Sequence, residues 1–213
     1  MDREDGRSHT QHRRISLEID KDVTYTAGLT KVMCTLNYSA QQKKGISATV
    51  IIEDGAVPRN ISKTRVERLI EESERAIETI FDSLLLETEN SYNIICRVLC
   101  DNGSLLSAII NSASLTLLSY KVPIKYLVFS VTVGLSPMKH EEYIVDLTEP
   151  EERSDIPCIT LATGCADYDT IISYGSTSKP IAEQAFLDLI SYSVQASKEV
   201  SQKIIEKARA FGL

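Results

Sequence analysis

The chain has no run of about 18 apolar residues, so no transmembrane helix is expected. Its first fourteen residues, MDREDGRSHTQHRR, are polar and charged and carry no secretory signal, which points to an intracellular protein. A basic excess is missing too: 23 Lys and Arg stand against 30 Asp and Glu, a net charge of −7. Free-standing nucleic-acid binding rests on a basic footprint and is disfavoured, whereas a subunit that lends one wall to a shared RNA channel remains open. No cysteines are spaced as CxxC. Of Cys34, Cys96, Cys100, Cys158 and Cys165, four sit inside apolar runs, and all five read as buried structural thiols. Cys96 and Cys100 share a strand with no histidine near enough to complete a metal site. His9, His12 and His140 lie in polar segments and read as solvated. There is no Ser/His/Asp or Cys/His arrangement, no Walker motif and no dinucleotide glycine motif. No metal or cofactor is expected.

What is present is an ordinary globular composition, 43% hydrophobic and 25% charged over 213 residues, ample for a sizeable core. The chain is organised around Cys100–Pro123, CDNGSLLSAIINSASLTLLSYKVP. The turn Asp101-Asn102-Gly103 ends a β-rich run, and Ser104 opens a helix that is apolar on nearly every side, the pattern of a buried helix. Its N-terminus is either an anion site, because free N–H groups and the dipole point there, or only a packing junction.

Around it the periodicities alternate. Residues 1–13 form a candidate flexible arm. Ile15, Leu17 and Ile19 alternate with polar residues as in a half-buried strand, and further strands are expected at Val23–Thr26, Val32–Tyr38 and Ala48–Ile52. Ile61–Leu84 reads as a helix capped by Ser62, with an apolar stripe and an acidic face (Glu67, Glu71, Glu72, Glu74, Glu78) that reads as solvated. Tyr92–Leu99 is a strand, Val128–Leu135 a buried central strand, and Glu142–Leu147 its hairpin partner across a loop at 136–141. The acidic stretch Glu149–Asp155 reads as a solvated connection. A last hairpin joins Ile159–Thr163 to Thr170–Tyr174, and a long helix opens at Ser178 or Lys179, with Pro180 in its first turn, and runs to about Ala210. Helices interleaved with strands, without regular βα alternation, indicate an α+β fold of mixed sheets, and no Gly-, Pro- or Ser-rich linker divides residues 1–213, so a single domain is expected.

Several stretches, in order, resemble one family. Arg3-Glu4-Asp5-Gly6-Arg7 is similar to the RxDGR opening of the RNase PH family, and Gly28-Leu29-Thr30-Lys31-Val32 to its QGxTKV strand, with Ala27 in place of Gln. Val66-Glu67-Arg68-Leu69-Ile70 resembles the start of its first helix. Asp101-Asn102-Gly103-Ser104, the helix after it and Val122-Pro123-Ile124 resemble its DGGT…AAS…GIPM segment. Val131–Gly134 and Val145-Asp146-Leu147 resemble the two strands that follow. The connection from Ala48 to Lys63 and the Gly-Ser-Leu-Leu reading are most similar to one eukaryotic exosome ring subunit, the Rrp-forty-six type. The resemblance implies an RNase PH-like fold with two inner helices and a long C-terminal helix. It also implies other RNase PH-like subunits as partners in a pseudo-hexameric ring with cap subunits, RNA threaded through the complex, no membrane, and residence in nucleus, nucleolus and cytoplasm.

Enzymes of the family are phosphate-dependent 3′→5′ exoribonucleases. They hold phosphate with a helix N-terminus and an arginine, use a carboxylate pair, and hold RNA with basic residues. In the active pattern the glycine turn continues Gly-Thr-Arg; here it continues Gly103-Ser104-Leu105, so the resemblance implies a vestigial phosphate pocket at Asn102, Gly103, Ser104 and Leu105. Asp146 matches the first catalytic aspartate and Glu152 stands at the second position, a vestigial acid pair. Arg68 and Arg75 are candidate RNA contacts or, equally, partners of the glutamates on their own helix. The expected function is therefore a non-catalytic ring subunit that supports 3′→5′ RNA processing and degradation, with no catalytic residues. The rivals are an active phosphorolytic exoribonuclease, alone or completed by a partner, and an unrelated α+β binding protein.

Overall fold

The computed structural model of the chain describes residues 3, 5–39, 45–58, 61–86, 90–136, 143–154, 156–166, 170–176 and 180–212. Strands β1 (Ile15–Ile19), β2 (Val23–Ala27), β3 (Thr30–Ser39), β4 (Gly45–Ile52) and β5 (Ser91–Cys100) form one sheet in the order β1-β2-β3-β5-β4. Within it β4 lies parallel to β5 and the other pairs are antiparallel. The parallel pair needs a crossover, which α1 (Lys63–Asp82) supplies. Strands β6 (Val128–Leu135), β7 (Tyr143–Val145), β8 (Cys158–Gly164) and β9 (Ile171–Ser176) make a second, antiparallel sheet in the order β7-β6-β8-β9. Helices α1 and α2 (Leu105–Ser119) lie side by side between the sheets, α2 against β2, β3 and β6, α1 against β4 and the edge at β9. The long α4 (Glu183–Arg209) covers the outer face of the second sheet. This is the layered α+β arrangement, with two inner helices and a long C-terminal one, that the sequence led us to expect.

Helix α2 is the core of the molecule, buried without a break from Ser107 to Leu117. Its polar residues are there because each finds a partner. Asn111 donates to the Ser130 carbonyl (3.0 Å) and accepts from the Ser130 N–H (2.7 Å), locking α2 to β6. The Ser114 hydroxyl accepts from Val128 N–H, and Thr116 donates back to the Ser112 carbonyl. Buried polar groups satisfied in this way cost little and fix one packing.

Several expectations change. The acidic face of α1 is solvated only at Glu67, Glu71 and Glu72. Glu74, Glu78 and Asp82 accept the backbone N–H groups of Val50 (2.9 Å), Ala48 (3.1 Å) and Ile46 (3.0 Å), the free edge of β4. The registers match because four residues of helix advance about 6.0 Å and two of strand about 6.7 Å. The acidic stretch after Asp146 is not a loop: α3 (Glu149–Arg153) is a short helix with a capping box between Thr148 and Glu151 and Pro150 in its first turn. Helix α4 begins at Glu183, later than expected, and Pro180 lies outside it; Ile181 packs on the core and Ala182 is still extended. Cys34 and Cys96 are the fully buried thiols, while Cys100, Cys158 and Cys165 are half-buried.

The described residues of the candidate flexible arm, 3 and 5–13, are docked. Arg3, His12 and Arg13 are buried, the strap from Asp5 to Arg14 lies against β7 and Asp146, and Arg3 reaches Glu151 of α3. The expected loops at 41–44, 137–141 and 167–169, the helix-opening Ser178 and Lys179, and Glu4, His140 and Asp155 lie outside the described residues.

Candidate functional site

Two short segments meet where the family motifs led: the turn before α2 and the link from β7 to α3. Gly103 (φ +90°) and Ser104 (φ +52°) are both left-handed, and the Gly103 N–H donates to the Asp101 carboxylate (3.0 Å). A Cβ on Gly103 would lie 2.4–2.6 Å from backbone atoms of Leu147, Thr148 and Glu149, so only glycine lets the segments approach this closely. The Glu149 N–H donates to the Asn102 carbonyl (3.1 Å), and the Ser104 hydroxyl donates to the Leu147 carbonyl (3.0 Å). Ser104 therefore does not cap its helix with its side chain.

The N-terminus of α2 is instead occupied by the protein's own carboxylate. The Ser104 N–H donates to Glu152 Oε1 at 2.7 Å. Burial pushes the Glu152 carboxyl up to about 7, with the charges of Asp101 and Asp146 adding to it and the Ser104 bond and Arg13 opposing it. Asp101 is raised as well, by burial and then by Glu149. An incoming anion would find the Ser104 N–H already used and two carboxyl groups, Asp101 and Glu152, beside it. Leu105, where the active pattern has arginine, is buried and offers no charge.

Asp146 is not free to act as the first acid. It is 1% exposed and left-handed (φ +56°). Arg13 donates to it from its backbone N–H and Nε (both 2.8 Å to Oδ2) and from Nη2 (2.7 Å to Oδ1). Arg13 spends its remaining N–H groups on Thr30 Oγ1 and the carbonyls of Asn102 and Gly103, so all of its donors are engaged. His12 Nδ1 lies 3.4 Å and Arg7 Nη1 3.6 Å from the same carboxylate. Burial alone would raise Asp146; His12 and the charge-assisted bonds from Arg13 overcome it and hold the carboxyl well below its ordinary range. Arg3 clamps the other side, with Nε and Nη2 on the Glu151 carboxylate (2.7 and 2.6 Å) and Nη1 on the Val145 carbonyl (2.7 Å).

A cavity of about 340 Å³ lies beside the α2 start, walled by Arg65, Arg68, Leu69 and Ser73 of α1, Ser104 and Leu105, Glu152 and Arg153, and Cys158 and Thr160 of β8. It brings together Ser104, Leu105, Glu152 and Arg68. It leaves out Asp146, which faces the strap, and Arg75, which is exposed farther along α1. Among the described residues neither Arg68 nor Arg75 pairs with a glutamate of its own helix, where Lys63–Glu67 (3.9 Å) is the ion pair present. Asn102 lies under the turn, its carbonyl held by Arg13 and Glu149 and its N–H by Thr30 Oγ1. Sequence reasoning missed Arg13 and His12. The available signal was four arginines within fourteen residues, more than a solvated arm requires.

Residues 12–123 match the family described as 3′ exoribonuclease family, domain 1 (RNase PH). The chain is 28% identical to a putative exosome complex component RRP41 of Caenorhabditis elegans over 219 residues, covering 95% of this chain and 88% of that protein. It is 27% identical to the protein of the same description in Caenorhabditis briggsae, covering 96% of this chain and 88% of that protein. Its fold is similar to the crystal structure of rice (Oryza sativa) Rrp46, with a TM-score of 0.81 at 19% identity, covering 97% of this chain and all of that one. It is also similar to a chain of an archaeal exosome core, with a TM-score of 0.69 at 18% identity, covering 95% and 91%.

Proposed function

Because the chain belongs to the 3′ exoribonuclease (RNase PH) family, we propose that it is a non-catalytic subunit of an RNA exosome ring. Its fold would serve subunit contacts and a wall of the RNA path rather than phosphorolysis. The observation that carries this is the Glu152 carboxylate on the Ser104 N–H, in a pocket where Leu105 takes the place of arginine. A phosphate nucleophile needs that N-terminus free and a guanidinium to match its geometry. Loss of one charge-assisted contact costs a bound ion about 1.5–3 kcal/mol, and the Glu152 carboxyl, wherever it is ionised, adds repulsion at the same spot. The acid pair is split, since Asp146 serves Arg13 while Glu152 serves Ser104.

The similarity to RRP41 components and to exosome core chains, over nearly the whole length, supports placing residues 1–213 as one RNase PH-like unit in a ring of such subunits with cap subunits. The likeness to rice Rrp46 and the Gly103-Ser104-Leu105-Leu106 reading support the Rrp46 type. On this reading Arg68, at the cavity, is the stronger candidate RNA contact and Arg75 the weaker. The ring would act in RNA processing and degradation, rRNA included, in nucleus, nucleolus and cytoplasm.

The test is phosphorolysis of labelled oligo-RNA with phosphate and Mg²⁺. The purified chain is expected to release no nucleoside diphosphate. Release that disappears in Glu152→Gln would overturn the proposal. The runner-up, an active exoribonuclease, is favoured by one feature: Arg65, Arg68 and Arg153 ring the cavity. It predicts release by the chain together with its co-purified partners, again lost in Glu152→Gln. A pull-down without any RNase PH-like subunit would argue for an unrelated binding protein.

A further inference from the structure

We propose that Cys34 and Cys96 form a redox site, a buried thiol pair that peroxide converts reversibly to a cross-strand disulfide. All five cysteines of the chain are free thiols in the structure. Cys34 and Cys96 lie opposite each other, in register across the antiparallel pair of β3 and β5. Their Sγ atoms are 2.9 Å apart and both residues are fully buried. The other cysteines have no such partner: Cys100 faces Lys31 across its ladder, and Cys158 faces Gly134.

The backbone already meets the demands of the bond. Facing residues of an antiparallel pair have Cα atoms about 4.5 or 5.5 Å apart, and both spacings lie within the range of about 4.4–6.8 Å that a disulfide spans. The ladder runs without a shift from Val32 to Ser39, so the sheet itself fixes the pairing. The sulfurs need approach by only about 0.9 Å to reach bond length, which rotation of the two side chains supplies. The bond closes a loop from residue 34 to residue 96 that holds β4 and the whole of α1. Without it, that crossover is held only by packing and hydrogen bonds. Closing a long loop removes freedom from the unfolded chain, so the oxidised form is the more stable one.

Hydrogen peroxide is the oxidant. One sulfur attacks its O–O bond, giving a sulfenic acid and one water. The second sulfur attacks the sulfenic sulfur; the S–O bond breaks, the S–S bond forms and a second water leaves. Two thiols lose two protons and two electrons in all, and one peroxide is reduced to two waters. The Cys34 thiol beside it and burial push the Cys96 thiol well above its ordinary value. Little thiolate is therefore present and the first step is slow. The second is fast, because the attacking sulfur is already in contact. The pair therefore records sustained oxidation, and a dithiol reductant restores it by thiol–disulfide exchange.

The test is to treat the folded, full chain with hydrogen peroxide, alkylate the remaining thiols in denaturant and map the unreduced peptides by mass spectrometry. The Cys34 peptide is expected joined to the Cys96 peptide, the pair lighter by two hydrogens than the two reduced peptides together. The urea midpoint is expected to rise on oxidation and to return after dithiothreitol. A variant carrying Cys100→Ser, Cys158→Ser and Cys165→Ser keeps only the buried pair and should show the same rise. Cys34→Ser should give neither the linked peptide nor the rise; should that variant fold poorly, the peptide map of the wild type still decides. Peroxide-treated wild type with Cys34 and Cys96 both alkylated, or joined to other cysteines, overturns the proposal. So does a linked peptide that forms only when the oxidation is done in denaturant, which would make the pairing a property of the unfolded chain.

Discussion

Arg13 and Asp146, 133 residues apart, are joined by three hydrogen bonds of 2.7–2.8 Å with both side chains buried. The pair ties the strap to the β7–α3 link and, through the carbonyls of Asn102 and Gly103, to the start of α2. It also takes out of use the carboxylate that the family motif marks for chemistry. Removing one partner of a buried pair leaves an uncompensated charge, so Arg13→Ala is expected to cost about 3–5 kcal/mol. Arg13→Lys should recover only part of it, because an ammonium cannot reproduce the five-donor fork. Urea unfolding at neutral pH measures both, and an unchanged midpoint for Arg13→Ala would contradict the arrangement.

Asp146 and Glu152 are shifted in opposite directions, and stability should follow pH accordingly. Asp146 is held below its ordinary value of 3.8, so its contribution is complete above that value and is lost as the pH falls further. Glu152 is raised from 4.5 to about 7, so its contribution is complete below 4.5 and is lost as the pH rises through 7. Glu152→Gln keeps an oxygen for the Ser104 N–H and removes the charge. Relative to the wild type it should gain on the order of 1–3 kcal/mol between about pH 5 and pH 8. Denaturant midpoints at the two pH values check this, and a gain that shrinks as pH rises would contradict it.

Elements defined by their own periodicity were legible from the residues. The β-branched run Val128–Leu135 is β6 to the residue, and the all-round apolar pattern after Ser104 is the enclosed α2. What depends on contacts far along the chain was not. Glu151 and Glu152 look like a solvated acidic run until Arg3 and the Ser104 N–H arrive from positions 148 and 48 residues away. The Thr148-x-x-Glu151 capping box was a local sign of α3 that the acidic composition outweighed. His12 looks exposed among polar neighbours because its burial comes from Asp146 and α4. Leu105 is the exception, legible only by comparison with the family pattern, since a leucine in an apolar helix carries no signal of its own.

The edge of β4 gives a third expectation. Glu78 is the middle of the three carboxylates on that edge, accepting from Ala48 N–H at 3.1 Å. Glu78→Ala leaves this N–H to water or to another chain, and is expected to cost about 1–2 kcal/mol and to raise the tendency to associate through the edge. Glu78→Gln keeps the acceptor and should cost little. Hydrogen exchange at Ala48 separates the cases: faster in Glu78→Ala, near wild type in Glu78→Gln. Equal exchange in all three would mean the carboxylate does not guard the strand.

Gly103 is where the two halves of the site touch, and its replacement is the sharpest test of that contact. An alanine Cβ would stand 2.4 Å from the Leu147 carbonyl oxygen, 2.5 Å from Thr148 C and 2.6 Å from Glu149 N. All three are backbone atoms, so no rotamer change relieves the crowding, and the β7–α3 link must move away from the start of α2. Gly55 is a built-in control: its φ of +82° is similarly left-handed, but a Cβ there meets nothing within 4 Å. Gly55→Ala should therefore cost only the backbone strain, about 1–2 kcal/mol. Gly103→Ala adds the displacement of the link, for a total of about 3–5 kcal/mol. Moving the link also pulls Glu152 from the Ser104 N–H, so the pH dependence assigned to Glu152 should change in Gly103→Ala and not in Gly55→Ala. If the two alanine variants unfold at the same denaturant concentration, strain alone accounts for Gly103, and the contact between the α2 turn and the α3 link is looser than the 2.7 Å Ser104–Glu152 bond requires.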